Sequence, residues 1–95
     1  MVLSPDPNAG GFSVSCPAMP GAHSQGDSRE ETLANIAEAM TLWMEVADED
    51  GYGPRVETPE LIATEIAFVL EFRAEEGWPL IVETAEVQIP VAVAA

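Results

Sequence analysis

The sequence predicts an α+β domain, with a three- to four-stranded sheet and two helices in the order β-β-β-α-α-β. Residues Phe12–Cys16 alternate apolar and polar side chains, which is the period of a half-buried strand. A rigid corner follows at Pro17–Gly21, where two prolines and a glycine prevent a helix. Two capped helix starts come later, at Ser28 and at Thr58-Pro59. A length of 95 residues is enough for one domain with one modest core, so a single domain is expected over residues 1–95.

The first half of the sheet is predicted from short apolar segments separated by turns. Met1–Ser4 is a short apolar start, and Pro5–Gly11 is a turn sequence that leads into Phe12–Cys16. These segments predict an antiparallel hairpin. After the corner, His23–Gln25 is expected to add a short polar third strand.

The first helix is expected over Arg29–Ala47. Ser28 and Glu31 have the spacing of a capping box, and Gly51 provides the left-handed residue that ends the helix. An apolar stripe recurs at intervals of three and four residues: Leu33, Ile36, Ala37, Met40, Met44 and Ala47. This stripe should pack on the sheet, and its most buried members should be Leu33, Ile36, Met40 and Met44.

A second helix is expected over Thr58–Glu76, and its apolar arc is unusually wide. Phe68 and Phe72 extend this arc beyond what one sheet face can cover. They are therefore the candidate contacts of a homodimer or higher homo-oligomer. Leu80–Val93 is expected to form the last strand, with Pro90 marking an edge or a bulge.

The charge of the chain is its most informative compositional feature. Seventeen acidic residues are balanced by three arginines and no lysine, which gives a formal net charge of −14. Contact with phosphates needs cations that displace counterions, so direct nucleic-acid binding is not expected. The negative field favours basic protein partners, although high charge also serves solubility alone.

Residues that could act as metal ligands, bases or nucleophiles are better explained by structural roles than by catalysis. Asp48 and Asp50 have a tyrosine, Tyr52, where a calcium loop needs an oxygen ligand. His23 is the only histidine and has no second ligand near it in sequence, so a surface or strand role is expected. Cys16 follows Val14 in the strand pattern and is expected to be a small buried hydrophobe. We therefore expect no catalytic site, no metal and no cofactor, and no enzyme activity.

No segment of the sequence suggests export or a membrane. The start lacks the basic residues and long apolar run of a signal peptide, and no apolar stretch approaches the ~20 residues of a membrane span. One cysteine excludes an internal disulfide and fits a reducing compartment. A cytoplasmic protein is expected.

The block from residue 11 to residue 47 resembles the HicB-like family of antitoxins. The matching elements are Pro17, Met19-Pro20-Gly21, Gly26-Asp27-Ser28, Glu30-Glu31, Leu33-Ala34-Asn35 and Glu38-Ala39. The proline corner alone would be ordinary turn chemistry. At this distance from the helix start and the following helix pattern, it is much more specific.

The resemblance implies a fold, a partner and a mechanism. The fold is a partial ribonuclease-H-like sheet whose fourth strand lies parallel to the first, and here the Thr58–Glu76 helix is inserted before that strand. The partner is a HicA-type toxin, a small basic mRNA-cleaving protein whose active site the antitoxin covers. The first strand is shorter than the family's, and no C-terminal DNA-binding domain is recognisable. The alternative is an orphan HicB-like oligomeric module without a toxin partner.

The acidic surface of the first helix is the candidate partner site. The residues expected to steer a basic partner are Asp27, Glu30, Glu31, Glu38 and Glu45. Trp43 is the candidate apolar anchor if its ring is accessible.

Overall fold

The computed structural model describes residues 1–55 and 57–86. Its six elements are β1 (Val2–Pro5), β2 (Phe12–Ser15), β3 (His23–Gly26), α1 (Arg29–Asp50), α2 (Pro59–Glu75) and β4 (Glu83–Thr84). The strands form one antiparallel sheet in the order β3-β2-β1-β4. This confirms the predicted α+β class and the predicted order of elements.

The turn of the β1–β2 hairpin is stabilised by the side chain of Asp6. The hairpin register pairs Leu3 with Val14. At the turn, one carboxylate oxygen of Asp6 accepts hydrogen bonds of 2.9 Å from the backbone N–H groups of Asn8 and Ala9. These two donors hold the pKa of Asp6 below its usual range, because they favour the ionised carboxylate.

The core lies between α1 and one face of the sheet. Leu3 and Val14 project from neighbouring strands on this face, and Ile36 and Met40 meet them from α1. The proline corner also belongs to the core, since Met19 is only 3% exposed and lies in the same cluster. The corner therefore turns the chain and inserts an apolar side chain beneath the helix.

Helix α1 has the predicted caps and a slightly different length. The Ser28 hydroxyl accepts the backbone N–H of Glu31 at 3.0 Å, and Gly51 ends the helix at φ +79°. The helix continues three residues beyond the predicted end at Ala47. Ile36 and Met40 are buried as expected, whereas Leu33 and Met44 are only half-buried at the border of the core.

Helix α2 lies against the opposite face of the sheet, beside β1. Val2 points to this face and is buried, and Ser15 on the same face donates its hydroxyl proton to Glu65 of α2 at 2.8 Å. Arg73 is the one buried residue of α2. The wide apolar arc of this helix is thus only partly covered.

The last strand differs from the expectation in length and direction. Strand β4 pairs with β1 over Glu83–Thr84 only, and it runs antiparallel to β1, so the expectation of a parallel fourth strand is wrong. One crossover helix would return the chain for a parallel strand. The second helix carries the chain the length of the sheet again, with its Arg73 end beside Pro5, so β4 enters from the other end. The predicted residues beyond Glu86, including Pro90, lie outside the described residues.

Candidate functional site

The outer face of α1 carries a continuous acidic and apolar surface. Six exposed side chains recur at intervals of three, four and seven residues, and we call them the acidic stripe: Glu31, Glu38, Leu42, Glu45, Val46 and Glu49. With 1.5 Å of rise per residue the stripe is about 27 Å long. It faces away from the core, because Ile36 and Met40 occupy the opposite side of the helix.

The carboxylates of the stripe are free to attract a partner. Within residues 1–55 and 57–86, the two ion pairs join Arg29 to Glu83 and the N-terminal amine to Glu57. No stripe carboxylate belongs to either pair. Four acids along one helix face with no cation beside them produce a strongly negative potential.

The structure separates the predicted partner residues into two groups. Glu31, Glu38 and Glu45 lie together on the stripe. Glu30 is also exposed but lies about 100° around the helix axis from Glu31. Asp27 is exposed in the short connection between β3 and α1. The latter two are flanking charges and are not part of the stripe.

Trp43 is poorly placed as a free anchor. Its ring is half-buried against the core, its indole N–H donates to the carbonyl of Pro20 at 3.0 Å, and Tyr52 packs edge-on at 5.6 Å between centroids. The indole thus ties α1 to the proline corner. The exposed apolar residues on the acidic face are instead Leu42 at 62% exposure and Val46 at 48%.

Sequence reasoning missed Leu42 and Val46, although a signal was present. Both are one helical turn from acidic stripe positions and out of phase with the buried row that contains Met40. Placing every apolar residue of the helix on a wheel would have assigned these two to the solvent side.

Cys16 and His23 are not part of a catalytic or metal-binding cluster among the described residues. Cys16 is buried, and burial raises the pKa of its thiol, so the reactive thiolate is disfavoured. His23 lines a cavity of about 300 Å³ between the proline corner and α2, together with Arg55 and Glu65. Glu65 is already engaged by the hydroxyl of Ser15. Among the described residues, no group of three or more His, Cys, Asp or Glu side chains could hold a metal ion.

Comparison with known proteins gives the family of the chain. A family model described as the HicB-like antitoxin of bacterial toxin–antitoxin systems matches residues 1–88. The chain belongs to the HicB-like antitoxin family. The resemblance seen at the proline corner and the following helix is thereby confirmed.

One curated relative supports this assignment over a shorter stretch. A UPF0150 protein of Synechocystis sp. is 50% identical over 36 residues, which are 38% of this chain and 46% of that protein. The match thus spans less than half the length of the relative. No solved structure gives a significant match. In the described part of this HicB-like chain, no helix is long and apolar enough to cross a membrane.

Proposed function

We propose that this HicB-like protein neutralises a small basic toxin of the HicA type through direct protein contact on the acidic stripe of α1. The observation that carries the proposal is the pattern of the stripe, where unpaired carboxylates surround two exposed apolar side chains. An RNA-cleaving toxin needs a cationic surface to hold phosphates. The stripe offers such a surface an alternative anionic partner.

The two kinds of stripe residue have different roles in the complex. Exposed carboxylates act over long range and accelerate the encounter with a cationic protein. Leu42 and Val46 lose their contact with water on binding and slow dissociation. The antitoxin blocks the toxin by occupying its RNA-binding surface and needs no enzyme activity of its own. Since messenger RNA is the toxin's substrate, the complex is expected in the cytoplasm.

Charge reversal tests the steering role. The Glu38→Lys/Glu45→Lys variant should slow association with the cognate toxin about tenfold at low salt and reduce the salt dependence of the rate. Stopped-flow or surface plasmon resonance measures both quantities. The matched control is Glu75→Lys/Glu76→Lys, which makes the same change in net charge on the exposed end of α2.

The relative effects of the two charge-reversal variants show whether the toxin binds at the acidic stripe. A larger effect on α1 than on α2 supports the stripe as the docking surface. Equal effects would mean that only net charge matters, which contradicts the proposed site. If the purified protein binds no small basic protein encoded beside it, the alternative of an orphan interaction module replaces the antitoxin proposal.

A further inference from the structure

The cavity of about 300 Å³ between the proline corner and α2 is a cleft on the sheet face opposite α1. Helix α2 packs beside β1, so the neighbouring part of this face, where Ser15 pairs with His23, is not covered by the helix. The floor of the cleft includes the buried residues Pro17 and Ala22, and Arg55 is exposed at its rim. A small molecule can therefore enter it from solvent.

We infer that this cleft binds a free α-amino acid with an apolar side chain. Its lining contains the guanidinium of Arg55, the carboxylate of Glu65 and several apolar side chains. An α-amino acid has the complementary carboxylate, ammonium group and side chain attached to one carbon atom. The inference concerns the protein alone and does not depend on a toxin.

The two charged groups of the cleft do not pair with each other. Neither Arg55 nor Glu65 belongs to the two ion pairs formed within residues 1–55 and 57–86. The guanidinium and the carboxylate are therefore too far apart for direct contact, although they line the same cleft. A ligand with both charges can bind between them, and its carboxylate matches the fork of N–H donors that an arginine presents.

Both charged residues are held in place by hydrogen bonds. The backbone N–H of Arg55 donates to the carbonyl of Ala18 at 2.8 Å, which attaches this loop to the proline corner. One oxygen of Glu65, Oε1, accepts the hydroxyl of Ser15 at 2.8 Å. Among the described residues, no donor reaches the second oxygen, Oε2. Glu65 thus offers an oriented acceptor to an ammonium group, with little ordering needed on binding.

The apolar lining and the volume fit an amino acid. Pro17 and Ala22 form the floor, and Leu61 of α2 contributes a half-buried side wall. An aliphatic ligand side chain loses contact with water when it packs there. A volume of about 300 Å³ is at the lower end of the range for small-molecule sites, so the ligand should be smaller than a nucleotide.

The charges also disfavour ligands with a single charge. Inorganic phosphate would meet the carboxylate of Glu65 and the negative field of a chain with a net charge of −14. An amine without a carboxylate would bring a second cation beside Arg55 and leave the guanidinium without a partner. Only a ligand that has both charges satisfies both residues.

Isothermal titration calorimetry with L-leucine as the probe tests the inference. The wild-type protein should bind one L-leucine per chain, and Arg55→Gln or Glu65→Gln should weaken binding at least tenfold. Glu65→Gln keeps a carbonyl oxygen that can accept the hydroxyl of Ser15, so the contact between sheet and α2 is retained. The matched control is Glu71→Gln, an exposed glutamate of α2 outside the cleft, which should bind like the wild type.

Three further probes separate the parts of the ligand. The compound 4-methylpentanoate lacks the ammonium group of leucine, isopentylamine lacks its carboxylate, and L-serine lacks its apolar side chain. Each should bind at least tenfold more weakly than L-leucine. Circular dichroism verifies that each variant is folded, and if Glu65→Gln fails to fold, Arg55→Gln and the three probes still provide the test.

The inference is overturned if the wild-type protein binds no L-leucine at millimolar concentration. Binding that is equally strong in the Arg55→Gln variant would place the ligand outside the cleft, and equal binding of 4-methylpentanoate or isopentylamine would contradict recognition of both charges. A protein that binds L-leucine in the expected way but binds no toxin supports this inference while the proposed function fails.

Discussion

Arg73 connects three parts of the chain through one buried side chain. It is 1% exposed, its Nη1 donates to the carbonyl of Pro5 at 2.6 Å, and its Nε donates to the carbonyl of Pro79. The Trp78 ring lies 5.5 Å from the guanidinium carbon. Hydrogen bonds from a charged donor contribute about 1.5–3 kcal/mol each, and here they join the end of β1 to the segment after α2. Arg73 thus holds α2 against the sheet.

Replacing Arg73 by alanine should therefore lower the free energy of unfolding by about 2–4 kcal/mol, because two carbonyls lose their donor and a cavity remains. Urea denaturation measures this change. Arg55→Ala is the matched control, since Arg55 is exposed and its loss should change stability by less than about 0.5 kcal/mol. Equal stability of the two variants would show that the Arg73 contacts contribute nothing.

At the residue scale, the structure brings some of the predicted acids together and places Trp43 apart from them. All five predicted acids are exposed. Three of them, Glu31, Glu38 and Glu45, lie on the stripe because they are seven residues apart, which is about two helical turns. Trp43 was harder to place. Its exposure depends on Pro20 and Tyr52, which are distant in sequence and meet the ring only after the chain has folded.

At the scale of single elements, the connection between β3 and α1 requires two backbone segments to lie very close together at Gly26. A Cβ atom added at Gly26 would lie 2.6 Å from the backbone nitrogen of Thr32, whereas one added at Gly53 would meet open space. The first turn of α1 therefore packs directly on the end of β3. This contact explains why glycine precedes Asp27-Ser28 at the start of the helix.

The Gly26→Ala substitution should cost about 2 kcal/mol and lower Tm by roughly 10 °C, because backbone atoms must move apart. Gly53→Ala should be neutral or slightly stabilising. Thermal melts followed by circular dichroism compare the two. Similar melting temperatures would contradict the close packing of α1 against β3.

An aspartate substitution should destabilise the protein on the buried side of α1 and have little effect on its exposed side. Met40 is 5% exposed, so Met40→Asp buries a carboxylate and should unfold the domain at a cost of about 4 kcal/mol or more. Leu42 is 62% exposed, so Leu42→Asp should leave the melting temperature nearly unchanged. An unchanged melting temperature for Met40→Asp would refute the packing of α1 on the sheet.

Element boundaries were predictable where local chemistry sets them. Both helix starts and Gly51 were predicted from capping residues, whose hydrogen bonds are made within a few residues of the cap. The direction of β4 was not predictable in this way. It depends on the path of α2 along the sheet, which the contact between Arg73 and Pro5 records.

At the scale of the whole molecule, the sheet separates two surfaces of different character. Helix α1 presents carboxylates with two apolar side chains, and α2 presents the exposed rings of Phe68 and Phe72. The net charge of −14 predicted a basic partner but not its location. The location that we propose follows from the orientation of α1 relative to the core, because this orientation decides which glutamates share the exposed face.

Rescue of growth is the sharpest test of toxin binding by the acidic stripe. The protein is expressed together with a candidate toxin, a small basic protein whose production alone stops growth. Survival is then compared for the wild type and for the stripe variant Glu38→Lys/Leu42→Asp/Glu45→Lys. We expect the wild-type protein to restore growth and the folded stripe variant to fail, while Glu75→Lys/Glu76→Lys should protect as well as the wild type. Equal protection by the stripe variant and the wild type, at equal protein levels, would contradict the acidic stripe as the toxin-binding surface.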